Sequence, residues 1–262
     1  MTDPQTIGRA ADALVAARRA RRAVASLPDD SRPRTVDEGY AIQDAVTARG
    51  AAPVVGYKVG CASKASQALM KTDAPFAGQM YADRVLGSPA TLRRGDYFHV
   101  GVEAEFGFRM GRDLPARPAP YTRDEVAAAV AAVLPVIEIC DTRFADWKAV
   151  GVADIVADNA FHGGLVTGAA FADWRALDLP THEVVLSIDG AERGRGTGAL
   201  VLGHPLDSLA WLASDLSRRG QALRRDQIVA AGTCTGLHFI TGPARVVAGF
   251  GTLGEVNFEV AG

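Results

Sequence analysis

Three carboxylates and one amine carry most of the chemistry available to this sequence. Gly101-Val102-Glu103-Ala104-Glu105-Phe106-Gly107-Phe108 alternates apolar residues with others, which predicts a strand. Alternate side chains of a strand share a face. Val102, Ala104, Phe106 and Phe108 therefore form one face, and Glu103 with Glu105 the other. Adjacent carboxylates repel each other, and desolvating them is costly. A solvated edge strand tolerates such a pair. A divalent cation explains it better, because Mg²⁺ and Mn²⁺ take oxygen ligands. Glu138 is the one charged residue in the apolar run from Leu134 to Cys140. An ionised Glu in a buried strand needs a partner, either an Arg or Lys or a metal. The Glu-x-Glu pair in the same chain tilts that choice toward the metal.

The amine is Lys58, within Val54-Val55-Gly56-Tyr57-Lys58-Val59-Gly60. Burial there would lower its pKa and suit it to proton transfer. Spacing alone favours a Lys that snorkels from a strand edge. Asp83 closes a polar loop and reads by itself as a turn or cap residue. Arg143 follows a strand end, where a surface ion pair and a substrate anion fit equally well. The stretch from Asp158 to Gly164, with Asn159, Phe161 and His162, joins polar groups to glycines that let backbone approach a ligand. Thr233 lies in a second glycine-bounded loop, Gly232 to Gly236.

The elements that must position these groups follow from periodicity and punctuation. Residues 4–26 suit a helix, with Ile7, Ala11, Leu14 and Val15 on one face. Thr35-Val36-Asp37-Glu38 and Thr122-Arg123-Asp124-Glu125 are capping boxes that open helices, the second running through alanines to about Leu134. Strands are predicted over 54–60, 101–108, 134–140, 164–168 and 183–188, with a loop over 75–83. Asp189-Gly190 signals a hairpin, and His204-Pro205 opens an amphipathic helix that Gly220 stops. Further strands run over 228–230, 245–247 and 254–260.

Composition narrows the class. The chain has 262 residues, 48% hydrophobic and 22% charged, and is therefore an ordinary globular protein. A net charge of −2 argues against nucleic acid as a partner. No apolar run is long enough for a membrane span or a signal peptide, so no membrane partner is expected and the cytoplasm is the expected location. Cys61, Cys140 and Cys234 are few, odd in number and without metal spacing, which suits reduced thiols.

Gly56-Tyr57-Lys58-Val59-Gly60, Glu103-Ala104-Glu105, Glu138-Ile139-Cys140-Asp141-Thr142-Arg143, Ala157-Asp158-Asn159-Ala160 and Leu202-Gly203-His204-Pro205 occur in the order seen in 2-keto-4-pentenoate hydratases. The chain resembles that branch of the fumarylacetoacetate hydrolase superfamily over nearly its full length. The resemblance implies an α+β fold, a mixed β-roll core over 86–262 behind a small N-terminal α/β region over 1–85. It implies Mg²⁺ or Mn²⁺ held by Glu103, Glu105 and Glu138, with Lys58 and Asp83 as proton-transfer groups. Arg143, Asn159, Phe161 and Thr233 become candidate substrate contacts. The implied activity is a metal-dependent lyase of aromatic-compound catabolism, a homo-oligomer hydrating a 2-oxo acid. A sister decarboxylase, a C–C bond hydrolase and a non-catalytic pathway partner are the alternatives. Phe161 and His162 stand where relatives carry small hydroxyl residues, so the pocket's volume and proton inventory should differ. His162 is then either an extra acid/base group or a surface loop residue.

Overall fold

The computed structural model describes residues 3–262. Helix α1 (Pro4–Ala20) buries Ala10, Ala11, Leu14 and Ala17. It stops at Arg21 in the left-handed conformation, short of the predicted end, because the apolar stripe gives out at the arginines. Helix α2 (Val36–Thr47) opens with the predicted capping box. Strand β1 (Val54–Gly60), helix α3 (Lys64–Met70) and strand β2 (Phe76–Tyr81) follow. The predicted loop over 75–83 is thus mostly strand. Phe76 to Met80 are all buried, so no apolar–polar alternation marks them.

Strands β3 (Val85–Gly87), β4 (Ala90–Arg93) and β5 (Gly101–Met110) lead to helix α4 (Arg123–Ala129) and strand β6 (Val130–Cys140). The alanine-rich stretch was expected to stay helical to Leu134. Pairing with β5 begins at Val130 instead, and buried Val130 and Val133 suit the pleat. The remainder is α5 (Val152–Ala157), β7 (His162–Thr167), β8 (Glu183–Ile188), β9 (Ala191–Thr197), α6 (Pro205–Arg218), β10 (Ile228–Thr233), β11 (His238–Phe239), β12 (Ala244–Gly249) and β13 (Glu255–Ala261).

These strands form two mixed sheets. The larger has the order β2-β1-β10-β5-β6-β7-β3, with β11 also on β5. The smaller is β4-β13-β12-β8-β9. Strand β5 lies centrally in the larger sheet and presents the two predicted faces. Val102, Ala104, Phe106 and Phe108 are fully buried. Phe106 meets Phe250, just past β12, edge-on at 5.5 Å between ring centroids. This face packs against the smaller sheet, and each such ring contributes about 1.5–3 kcal/mol by leaving water. The opposite face of β5 is left for the carboxylates. No helix among the described residues is long and apolar enough to cross a membrane.

Candidate active site

Strand register brings the carboxylates together. Glu103 on β5 is directly opposite Glu138 on β6, and Glu105 is paired with Thr233 on β10. Cys140 lies two residues past Glu138, hence on the same face. One side-chain donor atom from each of Glu103, Glu138 and Cys140 lies within 4.8 Å of the others. Cys140 Sγ donates to Glu103 Oε2 at 3.4 Å. Glu105 is fully buried beside them, and its Oε2 accepts the Gly232 N–H at 2.7 Å. Lys58 Nζ is 3.5 Å from Glu138 Oε1. The same oxygen meets His162 Nδ1 at 2.9 Å. A carboxylate only accepts, so Nδ1 carries the proton in that contact.

Three carboxylates here face one ammonium. Burial, then the charge of Glu138, pushes Glu103 up to about 7, against the pull of Lys58. Glu105 rises well above the ordinary carboxylate range, through burial and then Glu138 and Glu103. Lys58 is only 2% exposed, so it does not snorkel. Burial lowers its pKa, but Glu138, Cys140, Glu103 and Glu105 together outweigh burial, and the net shift is upward. That reverses the downward shift expected of a buried Lys without acidic neighbours. Glu105 Oε1 and Glu138 Oε2 are buried with no hydrogen-bond partner among the described residues. Unpartnered buried oxygens of this kind fit a divalent cation, which takes oxygen ligands and inverts the local charge balance.

Lys58, Glu103 and Cys140 open onto a cavity of about 270 Å³. Leu69, Met70, Phe76, Trp147, Phe161 and Leu237 supply apolar wall, and Ser63 and Thr233 are among its few hydroxyls. Thr233 Oγ1 accepts the Gly236 N–H at 2.9 Å. Phe161 meets Trp147 edge-on at 5.2 Å. It is delivered by a turn in which Asn159, Ala160 and Phe161 all have positive φ, at 60°, 54° and 70°. That conformation costs about 1–2 kcal/mol per residue. Twin hydrogen bonds to the Gln79 backbone hold it, from N to Asn159 Oδ1 at 2.8 Å and from Asn159 Nδ2 to O at 2.9 Å.

A second cavity, of about 430 Å³, lies between the N-terminal helices and the core. Arg18, Asp83, Arg143, Asn159 and His162 are among its lining residues. The predicted residues therefore divide. Lys58, Glu103, Phe161 and Thr233 line the first cavity, and Glu105 and Glu138 lie fully buried in the same charge cluster. His162 is buried and touches Glu138 from behind, so it is neither a surface residue nor part of the first cavity's wall. Arg143 is buried and pairs with Asp158, not with a surface group. Asp83 is exposed and is not among the groups lining the Lys58 cavity. A larger cavity of about 720 Å³ beside α6 contains none of these groups.

The model of the fumarylacetoacetate (FAA) hydrolase C-terminal family matches residues 54–261. The chain belongs to the fumarylacetoacetate hydrolase family. It is 37% identical over 232 residues to a 2-keto-4-pentenoate hydratase of Paraburkholderia xenovorans (strain LB400), covering 87% of this chain and 85% of that one. It is 32% identical over 241 residues to a 2-hydroxyhexa-2,4-dienoate hydratase of Comamonas testosteroni, covering 89% of each. Its fold is similar to that of a 4-oxalocrotonate decarboxylase from Pseudomonas putida G7, complexed with magnesium and adipate. The TM-score is 0.91, with 26% identity and 98% of each chain covered.

Sequence reasoning missed three features of this family member. Cys140 was read as an isolated thiol, although two-residue spacing from Glu138 already put it on the carboxylate face. Phe76, whose ring centroid is 5.8 Å from Lys58 Nζ, lay in the stretch taken for loop. Trp147 carried no signal, because it sits in a short 3₁₀ turn outside the regular elements.

Proposed function

We propose that this chain is a lyase, a hydratase that adds water to a 2-hydroxy-2,4-dienoate to give a 4-hydroxy-2-oxo acid. The observation that carries the reading is the buried set of Glu103, Glu105 and Glu138 beside Lys58, beneath an apolar chamber. The hydratases among its relatives support the choice of reaction. Glu103, Glu105 and Glu138 would hold a divalent cation, Mg²⁺ or Mn²⁺. Such a cation supplies Lewis acidity toward the 2-oxo acid and takes up the carboxylate charge that holds Lys58 protonated.

The chain's own residues do the rest. Lys58 Nζ carries the proton that leaves the enol hydroxyl and the one that arrives at the terminal carbon, giving the conjugated 2-oxo-3-enoate. Water then adds across the remaining double bond, hydroxyl at the carbon remote from the ketone and proton at the adjacent one. Phe76, Phe161 and Trp147 pack the substrate's tail and limit the water that enters. Glu138 is kept in place by His162.

A decarboxylase is the second reading, favoured by the close fold similarity to the Pseudomonas putida G7 enzyme. Its dicarboxylate substrates carry a second carboxylate. Among the described residues Lys58 is the sole cation lining the chamber, and Leu69, Met70, Phe76 and Leu237 offer a distal carboxylate no partner. The chamber therefore favours the hydratase. The test is an ultraviolet assay with 2-hydroxypenta-2,4-dienoate, with Mg²⁺, with Mn²⁺ and with chelator. Metal-dependent loss of dienol absorbance with 4-hydroxy-2-oxopentanoate as product is the expected result. Carbon dioxide release from 2-oxo-3-hexenedioate, without turnover of the dienoate, would overturn it.

A further inference from the structure

We propose that Cys140 is a sulfur donor of the metal centre, so that the site binds borderline and soft divalent ions such as Co²⁺, Zn²⁺ and Cd²⁺ through a thiolate as well as through carboxylates. The inference rests on the metal reading given above and adds a ligand and a selectivity to it.

Geometry comes first. The compact donor set comprises Glu103, Glu138 and Cys140, one atom from each within 4.8 Å of the others. The thiol is fixed by β6, whose Cys140 is in register with Gly101 on β5. A Cβ at position 101 would come 2.7 Å from Leu237 Cδ1 and 3.1 Å from the Cys140 Cβ, so the glycine lets both side chains pack over β5. The one hydrogen bond of Sγ runs to Glu103 Oε2, itself a candidate ligand atom, at 3.4 Å.

Unpartnered oxygens in the same charge cluster also point to an ion, and the chamber gives it access. Glu105 Oε1 and Glu138 Oε2 are buried and have no hydrogen-bond partner among the described residues. Cys140 and Glu103 both line the chamber, which gives an ion a path to them. Of the other thiols, Cys61 lines the same chamber but its Sγ lies 3.6 Å from the Ser66 carbonyl. Cys234 is fully buried and is not part of the donor set.

The chemistry is a ligand exchange without redox change. The S–H proton leaves to solvent, a sulfur lone pair forms the metal–sulfur bond, and no electron is transferred. Lys58, 3.5 Å from Glu138, offsets part of the added negative charge. Thiolate favours Cd²⁺, Zn²⁺ and Co²⁺, whereas Mg²⁺ prefers oxygen alone. Cys140 would thus broaden the range of metals without weakening the site for hard ions.

The test uses the full chain, stripped with chelator and titrated with Cd²⁺ alone. A thiolate-to-cadmium charge-transfer band should grow in the ultraviolet and saturate at one ion per chain. The band should persist in a Cys61→Ser/Cys234→Ser variant and vanish in Cys140→Ser and in Cys140→Val, the latter keeping an apolar residue in the strand. Loss of the sulfur should weaken Cd²⁺ binding by more than about tenfold and leave Mg²⁺ binding unchanged. A rise in thermal midpoint with Cd²⁺ but no band would overturn the sulfur ligand and leave the carboxylate site standing. So would a band that survives in Cys140→Ser. If no divalent ion shifts the midpoint of the wild-type chain, the metal reading fails together with the proposal.

Discussion

Buried charge gathers at two places along β6 and its continuation, and the two are arranged oppositely. At Glu138, three carboxylates share one ammonium, and two of their oxygens have no hydrogen-bond partner among the described residues. A few residues on, the charges balance. Asp158 is enclosed by Arg143, by the Arg143 N–H at 2.6 Å and by the Thr142 hydroxyl at 2.5 Å. Asp141 accepts the His99 N–H at 2.8 Å, and its Oδ2, without a hydrogen-bond partner among the described residues, still has the Arg18 charge at 3.7 Å. A balanced cluster fixes the backbone around it. An unbalanced one is retained at a cost in stability, which is the mark of a site with something to bind.

Substitution should separate the two. Glu105→Gln should have the largest effect on function, removing several kcal/mol, roughly, of transition-state stabilisation along with metal dependence. It should not lower the thermal midpoint of the metal-free protein, because it relieves a buried carboxylate and still accepts from Gly232. A lowered midpoint would mean that Glu105 is structurally paired after all. Lys58→Ala should slow turnover by about 10²–10⁴-fold with metal binding intact, as read by steady-state kinetics and calorimetric titration. Unchanged rates would remove Lys58 from proton transfer.

The balanced cluster should respond in the other currency. Asp158→Asn strands Arg143 and should cost about 3–5 kcal/mol in urea unfolding, with unchanged Mg²⁺ affinity. An exposed pair sets the lower limit. Arg117, followed by Thr122, holds the Glu125 carboxyl down to about 2. Its folded pKa lies below the unfolded value, so this support is present above that value and is lost as pH falls toward about 2. The expected sign is faster amide exchange in α4 in acid, at a pH well below that at which Glu103 takes up its proton.

What the sequence made legible follows the same division. The two faces of β5 were readable because a half-polar strand keeps its period, and both capping boxes because they are local. Strand β2 was not, since burial of both faces erases the alternation. The end of α4 was not, since alanine favours helix until β5 offers it a partner. Lys58 was legible as a residue but not as a charge. Its upward shift depends on four groups that lie 45 to 82 positions along the chain and meet only through strand register. Asp83, carried over by resemblance, ended at the mouth of the other cavity because position along a loop does not fix direction in space.

The left-handed turn at Asn159, Ala160 and Phe161 has a consequence for how such a chain can change. Its last residue and the one after it look in opposite directions, Phe161 into the Lys58 chamber and His162 onto Glu138. On the proposed reading, fit for the substrate and grip on the metal are geared together through one short segment. A substitution that widens the chamber also loosens the anchor, so this chain would acquire a new substrate preference by exchanging residues in pairs, not one at a time.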